Sequence, residues 1–286
     1  MIISKKNKGK KTYYYLQQTI REKGKVMVKE KYLGNKIPKD IAQIKKSFQK
    51  TLKKELYEKL ESIKENFQEE WKRIPESVKK KELEEISIAF TYNTNAIEGS
   101  TITLEETRGI IHDKISPTKP IRDVKESEMH SKIFLEMLEK KQEMSNSLLL
   151  YWHKNIFQDS KSEIAGKFRE YLVRVGDHLA PDWQDVKKLM NSLISFINKN
   201  EERINVVELA AIAHYKFEKI HPFGDGNGRI GRLLMNQILW HNNYPMLVIE
   251  YKNRKSYYKA LKKDEENFIK YFLRRYLSVH KKRYMK

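Results

Sequence analysis

A run of glycines stands directly between two helical patterns in this chain, and that placement restricts the fold more than any other feature. Val206, Ala210, Ala213, Phe217 and Ile220 step by three or four residues, with Asn205 and Glu208 spaced as a capping box at the start. Ile230, Leu233, Leu234 and Ile238 resume that spacing until Asn242-Asn243 and Pro245 end it. Between the two runs lies His221-Pro222-Phe223-Gly224-Asp225-Gly226-Asn227-Gly228, followed by Arg229-Ile230-Gly231-Arg232. Gly226, Gly228 and Gly231 also satisfy G-x-G-x-x-G, with Glu250 about 20 residues on, as a dinucleotide-binding turn requires. That turn must leave a buried strand, and the pattern before this loop is helical.

A glycine loop feeding a helix brings backbone N–H groups and the positive end of the helix to one point, which favours an anion. Arg229 and Arg232, three apart, share a face of the first turn. His221 supplies a side chain whose ordinary pKa suits removal of a proton from a hydroxyl attacking phosphorus. Asp225 offers an oxygen ligand of the kind that suits Mg²⁺ bridging phosphates. The backbone around Gly226 and Gly228, the Asn227 side chain and Arg229 are the expected holders of the phosphates.

His221 to Arg232 matches in full H-x-F-x-D/E-G-N-G-R-x-x-R, and in this the chain resembles the Fic proteins, which mostly move AMP from ATP to a hydroxyl side chain of a target protein. The likeness extends upstream to about Glu82 and downstream to Tyr257-Tyr258. It implies a mainly α fold: a Fic-type helical core with a short β-hairpin flap, here joined to a small N-terminal β appendage and a long helix. By resemblance Arg232 meets the γ-phosphate. Thr94-Asn95-Ala96-Ile97-Glu98-Gly99 fits S/T-x-x-x-E-G/N, the inhibitory pattern of self-regulated relatives, which makes Thr94, Glu98 and Gly99 inhibitory residues on a helix near 84–99. Glu98 is then expected to pair with Arg232 and to displace the γ-phosphate.

The resemblance assigns the flap, Glu170, Tyr171, Leu172, Val173, Arg174 and Val175, to docking of the target backbone along an exposed edge, ahead of the Gly176-Asp177 turn signal. The expected activity is that of a self-inhibited protein adenylyltransferase using ATP and Mg²⁺ on a protein with an exposed Ser, Thr or Tyr, itself included. Removal of AMP or transfer of another nucleotide by the same site is the alternative. A nucleic-acid-binding module with an inactive Fic fold is the alternative of another class. Relatives carry an adenine-holding Asn beyond the position of Tyr257-Tyr258; the nearest register here has Glu265, with Asn267 two residues on, so base preference is open.

Charge is distributed unevenly. The net +20 of the 286 residues arises at the ends: residues 1–60 hold 18 Lys and Arg against 5 acids, residues 251–286 hold 13 against 3, and the middle is nearly balanced at 27 against 30. These basic ends, including Lys5 to Lys11 and Lys281 to Arg283, suit a nucleic acid, an acidic protein or an anionic membrane surface. Cysteine is absent, so there is no disulfide framework or thiolate metal site, and a cytoplasmic location without a transmembrane segment is the expectation.

Three regions follow from the patterning. Residues 1–36 form the basic β appendage, with strands at Thr12 to Leu16 and Lys25 to Leu33 around Arg21-Glu22-Lys23-Gly24. Residues 37–81 carry a long amphipathic helix and connector; the apolar steps from Ile41 to Ile74 stop at Pro75, and the helix's length suits self-association into a homo-oligomer. Residues 82–286 form the catalytic domain, with Thr103 and Glu106 as a second capping box and a helix over Leu148 to Phe157.

Overall fold

The computed structural model describes residues 1–9, 11–22, 25–176 and 178–285. Lys23-Gly24 of the expected N-terminal turn and Asp177 of the flap turn lie outside the described residues. Two compact units divide the chain, Met1–Lys59 and Leu60–Lys286.

The first unit holds three strands where the patterning predicts two. β1 (Ile2–Lys8), β2 (Lys11–Glu22) and β3 (Lys25–Gly34) form an antiparallel sheet in that order, with Ile3 opposite Leu16 and Tyr15 opposite Tyr32. β1 has no alternation to reveal it, since four of its seven residues are Lys or Asn after Ile2-Ile3-Ser4. Pairing with β2 defines it, and one inward residue, Ile3, anchors it. Leu16 and Leu33 are buried against Phe48, with Ile41, Ile44 and Leu52 beside them. These last four residues lie on α1 (Ile41–Arg73), the long helix expected from the apolar stripe.

In the second unit the later residues of α1 continue the stripe: Phe67 and Trp71 meet Trp240, and Phe67 meets Tyr284 edge-on. α2 (Glu76–Ile97) starts after Pro75, and α3 (Leu104–Arg108) opens on the Thr103–Glu106 capping box, with both reciprocal bonds made. α4 (Ile121–Glu139) and α5 (Asn146–Phe157) follow, then β4 (Arg174–Val175) and β5 (His178–Leu179), the hairpin of the flap. α6 (Trp183–Asn200), α7 (Val206–Ile220), α8 (Asn227–His241), α9 (Arg254–Leu261) and α10 (Glu265–Tyr284) complete the chain.

α8 is the centre of this unit. Every residue from Asn227 to Leu239 is buried, so the helix has no solvent face, although the sequence shows only one apolar stripe. Its amide side chains are bonded. Asn236 donates to the Leu247 carbonyl and accepts from the Leu247 N–H, and Gln237 donates to the Gln142 carbonyl. Among the described residues no helix is long and apolar enough to cross a membrane.

Candidate active site

The site is built where α7 ends and α8 begins. His221 closes α7 as its C-cap with φ 50° and ψ 62°, a left-handed conformation that a residue with a side chain adopts at a cost of about 1 kcal/mol or more. The chain then turns through the glycine loop into Gly226, whose φ is 77° and where a Cβ would overlap the Phe157 ring, so glycine is required twice over.

Two interior contacts brace the loop. The Asn227 side chain accepts from the Phe223 N–H and donates to the Phe223 carbonyl, both at 2.8 Å. These bonds fix the side chain that is expected to meet phosphate and at the same time shape the loop. His153 on α5 stacks on Phe223, meets the Asp225 carbonyl through Nε2 at 3.0 Å, and accepts the Gly166 N–H. Burial pushes its pKa down to about 4, so it is neutral and structural near pH 7.

Arg169 couples this loop to the flap. Its Nε donates to the His221 carbonyl at 2.9 Å, and its other nitrogens donate to the carbonyls of Tyr171 and Pro181. With the Tyr171 carbonyl occupied in this way, Glu170 to Val173 run as a loop, and of the six expected flap residues only Arg174 and Val175 form a strand, paired with Leu179 and His178. Both are exposed.

The charged groups converge on the first turn of α8. Arg232 is 1% exposed, and its NH2 bonds the Glu98 carboxylate at 2.6 Å and the Thr94 carbonyl at 3.1 Å while its Nε bonds the Thr94 hydroxyl. Thr94 and Glu98 thus meet Arg232 from α2 and its C-cap, and Gly99 follows with φ 95°. Glu98 also lies against Gly228: a Cβ there would overlap its carboxylate oxygen. Arg229 pairs with Glu126 of α4, which Lys161 reaches at 3.1 Å, and Lys161 bonds the Asp225 carboxylate at 2.7 Å. Arg232 NH1 and Arg229 Nε are buried donors with no hydrogen-bond partner among the described residues.

Burial lowers the pKa of His221 below the ordinary 6.5, against an upward pull from the Glu218 backbone and the Glu98 carboxylate. The imidazole is therefore neutral at pH 7 and able to accept a proton. Asp225 is held below the usual carboxylate value by Lys161 and Arg229 despite the opposing effect of burial.

Glu126, Lys161, Arg169 and Glu218 join the site through tertiary placement, with no local sequence pattern that marks them as site residues. Glu218 is half-buried on α7 with its Oε1 shut off from solvent, and desolvation, assisted by Glu98 and opposed by Arg232, pushes its carboxyl up to about 8. It keeps its proton when folded, whereas the unfolded chain releases it near 4.5, so its contribution to stability is complete below pH 4.5 and is lost as pH rises to about 8. Glu218→Gln is expected to flatten the fall in Tm between about pH 5 and pH 8 relative to wild type. An unchanged slope in thermal unfolding would assign the pH dependence elsewhere.

The segment beyond Tyr257-Tyr258 departs from the adenine-binding pattern. Asn267 bonds Asp264 at the start of α10 and Glu265 pairs with Lys216, while Tyr257 bonds His214 and Tyr258 donates to the Ile97 carbonyl beside Glu98.

Residues 143–239 match the family model described as the Fic/DOC family. A protein adenylyltransferase Fic from Nematostella vectensis is 33% identical over 201 residues, covering 68% of this chain and 47% of the relative. The corresponding protein of Drosophila ananassae is 35% identical over 188 residues, covering 64% of this chain and 38% of the relative. The chain thus spans less than half the length of these relatives. Solved structures of Fic-1 from C. elegans and of a Fic domain containing signalling protein from Bacteroides thetaiotaomicron share the fold. The first has a TM-score of 0.68 at 24% identity over 87% of this chain and 78% of that one; the second, 0.66 at 24% over 80% and 96%.

Proposed function

We propose that this chain, which belongs to the Fic/DOC family, transfers AMP from ATP to a serine, threonine or tyrosine hydroxyl of a protein, its own chain included, and that Glu98 holds it in an inactive state. The observation that carries this reading is the seat of one carboxylate. Glu98 lies on Gly228 at the N-terminal turn of α8 and bonds Arg232, where the helix end and the guanidinium favour an anion. A carboxylate there competes with the terminal phosphate for Arg232 and repels it. The relatives named protein adenylyltransferase support the choice of AMP as the transferred group.

In the transfer, the hydroxyl oxygen bonds the α-phosphorus, the bond from that phosphorus to the β-phosphate breaks, and pyrophosphate leaves. Neutral His221 takes the hydroxyl proton. Gly226 and Gly228 bring the α8 N–H groups to the phosphates, and the unpartnered donors of Arg229 and Arg232 supply positive charge where the leaving group gains negative charge. Asn227 serves by holding the loop through Phe223. The exposed edge of Arg174 and Val175 offers main-chain groups to an extended target segment.

Mg²⁺ fits a site completed by the nucleotide. Among the described residues no group of three His, Cys, Asp or Glu would hold a metal alone, but Mg²⁺ needs only one or two carboxylates besides phosphate oxygens, and Asp225 is 48% exposed at the loop's mouth. When bound, it neutralises phosphate charge. Asp225 would hold the ion through the carboxylate that Lys161 bonds at one oxygen.

Intact-mass measurement after incubation with each of the four nucleoside triphosphates and Mg²⁺ tests the reading. A gain of adenylyl mass is expected with ATP and is expected to disappear in EDTA and in Asp225→Ala. Undiminished addition in EDTA would remove Asp225 from metal binding, and addition from another triphosphate in preference to ATP would change the nucleotide.

A further inference from the structure

The face of the N-terminal sheet turned away from its core is unlike an ordinary solvated face. Strand alternation puts Ile3, Leu16 and Leu33 toward α1, and so puts Lys6, Tyr13, Tyr15 and Tyr32 on the opposite side. A face of this kind normally carries scattered polar groups. Here three tyrosine rings touch: Tyr32 lies 5.3 Å from Tyr15 and 6.2 Å from Tyr13, centroid to centroid, and Tyr32 is 53% exposed.

Cations stand beside the rings. Lys6 lies over the Tyr15 ring at 4.5 Å and pairs with Glu30, and Lys8 faces Lys11 across the β1–β2 pair. The whole stretch of residues 1–36 has eleven Lys and Arg against two acids.

We propose that this sheet face is a binding surface for single-stranded nucleic acid, with bases stacked on Tyr32 and its neighbours and phosphates met by Lys6, Lys8 and Lys11. The charge alone would serve any polyanion. The rings decide between ligands, because every base offers a π-face to a tyrosine and an acidic peptide or a lipid headgroup does not. A single strand also exposes its bases, whereas a duplex keeps them stacked inside.

Fluorescence anisotropy with the full chain and labelled oligo(dT) and oligo(U) 15-mers tests this, with a duplex of the same length and anionic phosphatidylserine vesicles as competitors. Both single strands are expected to bind more tightly than the duplex, with log Kd rising with log[salt] at a slope of about 2 for three lysines. The Lys6→Gln/Lys8→Gln/Lys11→Gln variant is expected to lose that slope. Tyr32→Leu is expected to weaken binding by about tenfold, and Tyr32→Phe, which keeps the ring, to bind as wild type does. Equal affinity of Tyr32→Leu and Tyr32→Phe would overturn the proposal by reducing the surface to charge alone. Preference for the duplex or for vesicles over both single strands would overturn it as well. A preference between oligo(dT) and oligo(U) identifies which single strand the surface takes.

Discussion

His221→Ala is expected to reduce AMP transfer by roughly 10²- to 10⁴-fold, the usual contribution of a positioned general base, with ATP affinity nearly unchanged. The division follows from geometry. His221 is the C-cap of α7, whereas the phosphate donors belong to the start of α8. The main-chain bonds that shape the loop, from Arg169 to the His221 carbonyl and from Asn227 to Phe223, do not require the imidazole. The wild-type rate should rise with pH through a midpoint below 6.5, because burial holds the imidazole neutral down to lower pH. Equal losses of ATP binding and turnover in His221→Ala, measured by calorimetry and by incorporation, would make His221 a structural residue.

Glu98→Gly is expected to do the opposite and raise transfer by about ten- to a hundredfold, the range of an ordinary coupling between two occupants of one site. The substitution frees the Arg232 NH2 and clears the carboxylate from Gly228. It also leaves a guanidinium that is 1% exposed, still bonded to Thr94 but without the Glu98 carboxylate. Losing one member of a buried pair destabilises by up to about 3–5 kcal/mol, and less here because Glu98 is 27% exposed. Glu98→Gly should therefore melt earlier than wild type without ligand and gain more from ATP. Arg232→Ala should not activate, since it removes the inhibitory partner and the phosphate ligand together. In the double variant most of the gain from Glu98→Gly should vanish.

The helix–loop–helix at the centre of the site was legible because its signals are local: apolar spacing on both sides, glycines between, and residue types suited to base and metal work. The Glu98–Arg232 pair joins residues 134 apart, and only a short pattern pointed to it. Other parts arise from tertiary placement. Arg169 reads as one more basic residue until its guanidinium gathers carbonyls from both sides of the site. Glu218 reads as a polar position of an amphipathic helix, yet its carboxyl lies desolvated under the influence of Arg232. β1 has almost no alternation, and the flap has two residues per strand, with the Tyr171 carbonyl given to Arg169.

The account rests on one carboxylate restraining one base-dependent transfer, and incorporation of label from α-³²P-ATP by wild type, Glu98→Gly and Glu98→Gly/His221→Ala measures both together. Glu98→Gly should incorporate at least about tenfold more label than wild type. The double variant should fall to the background, and γ-³²P-ATP should label none of the three. A Glu98→Gly protein that folds and binds ATP but incorporates no more than wild type, or that retains its label without His221, would contradict the account.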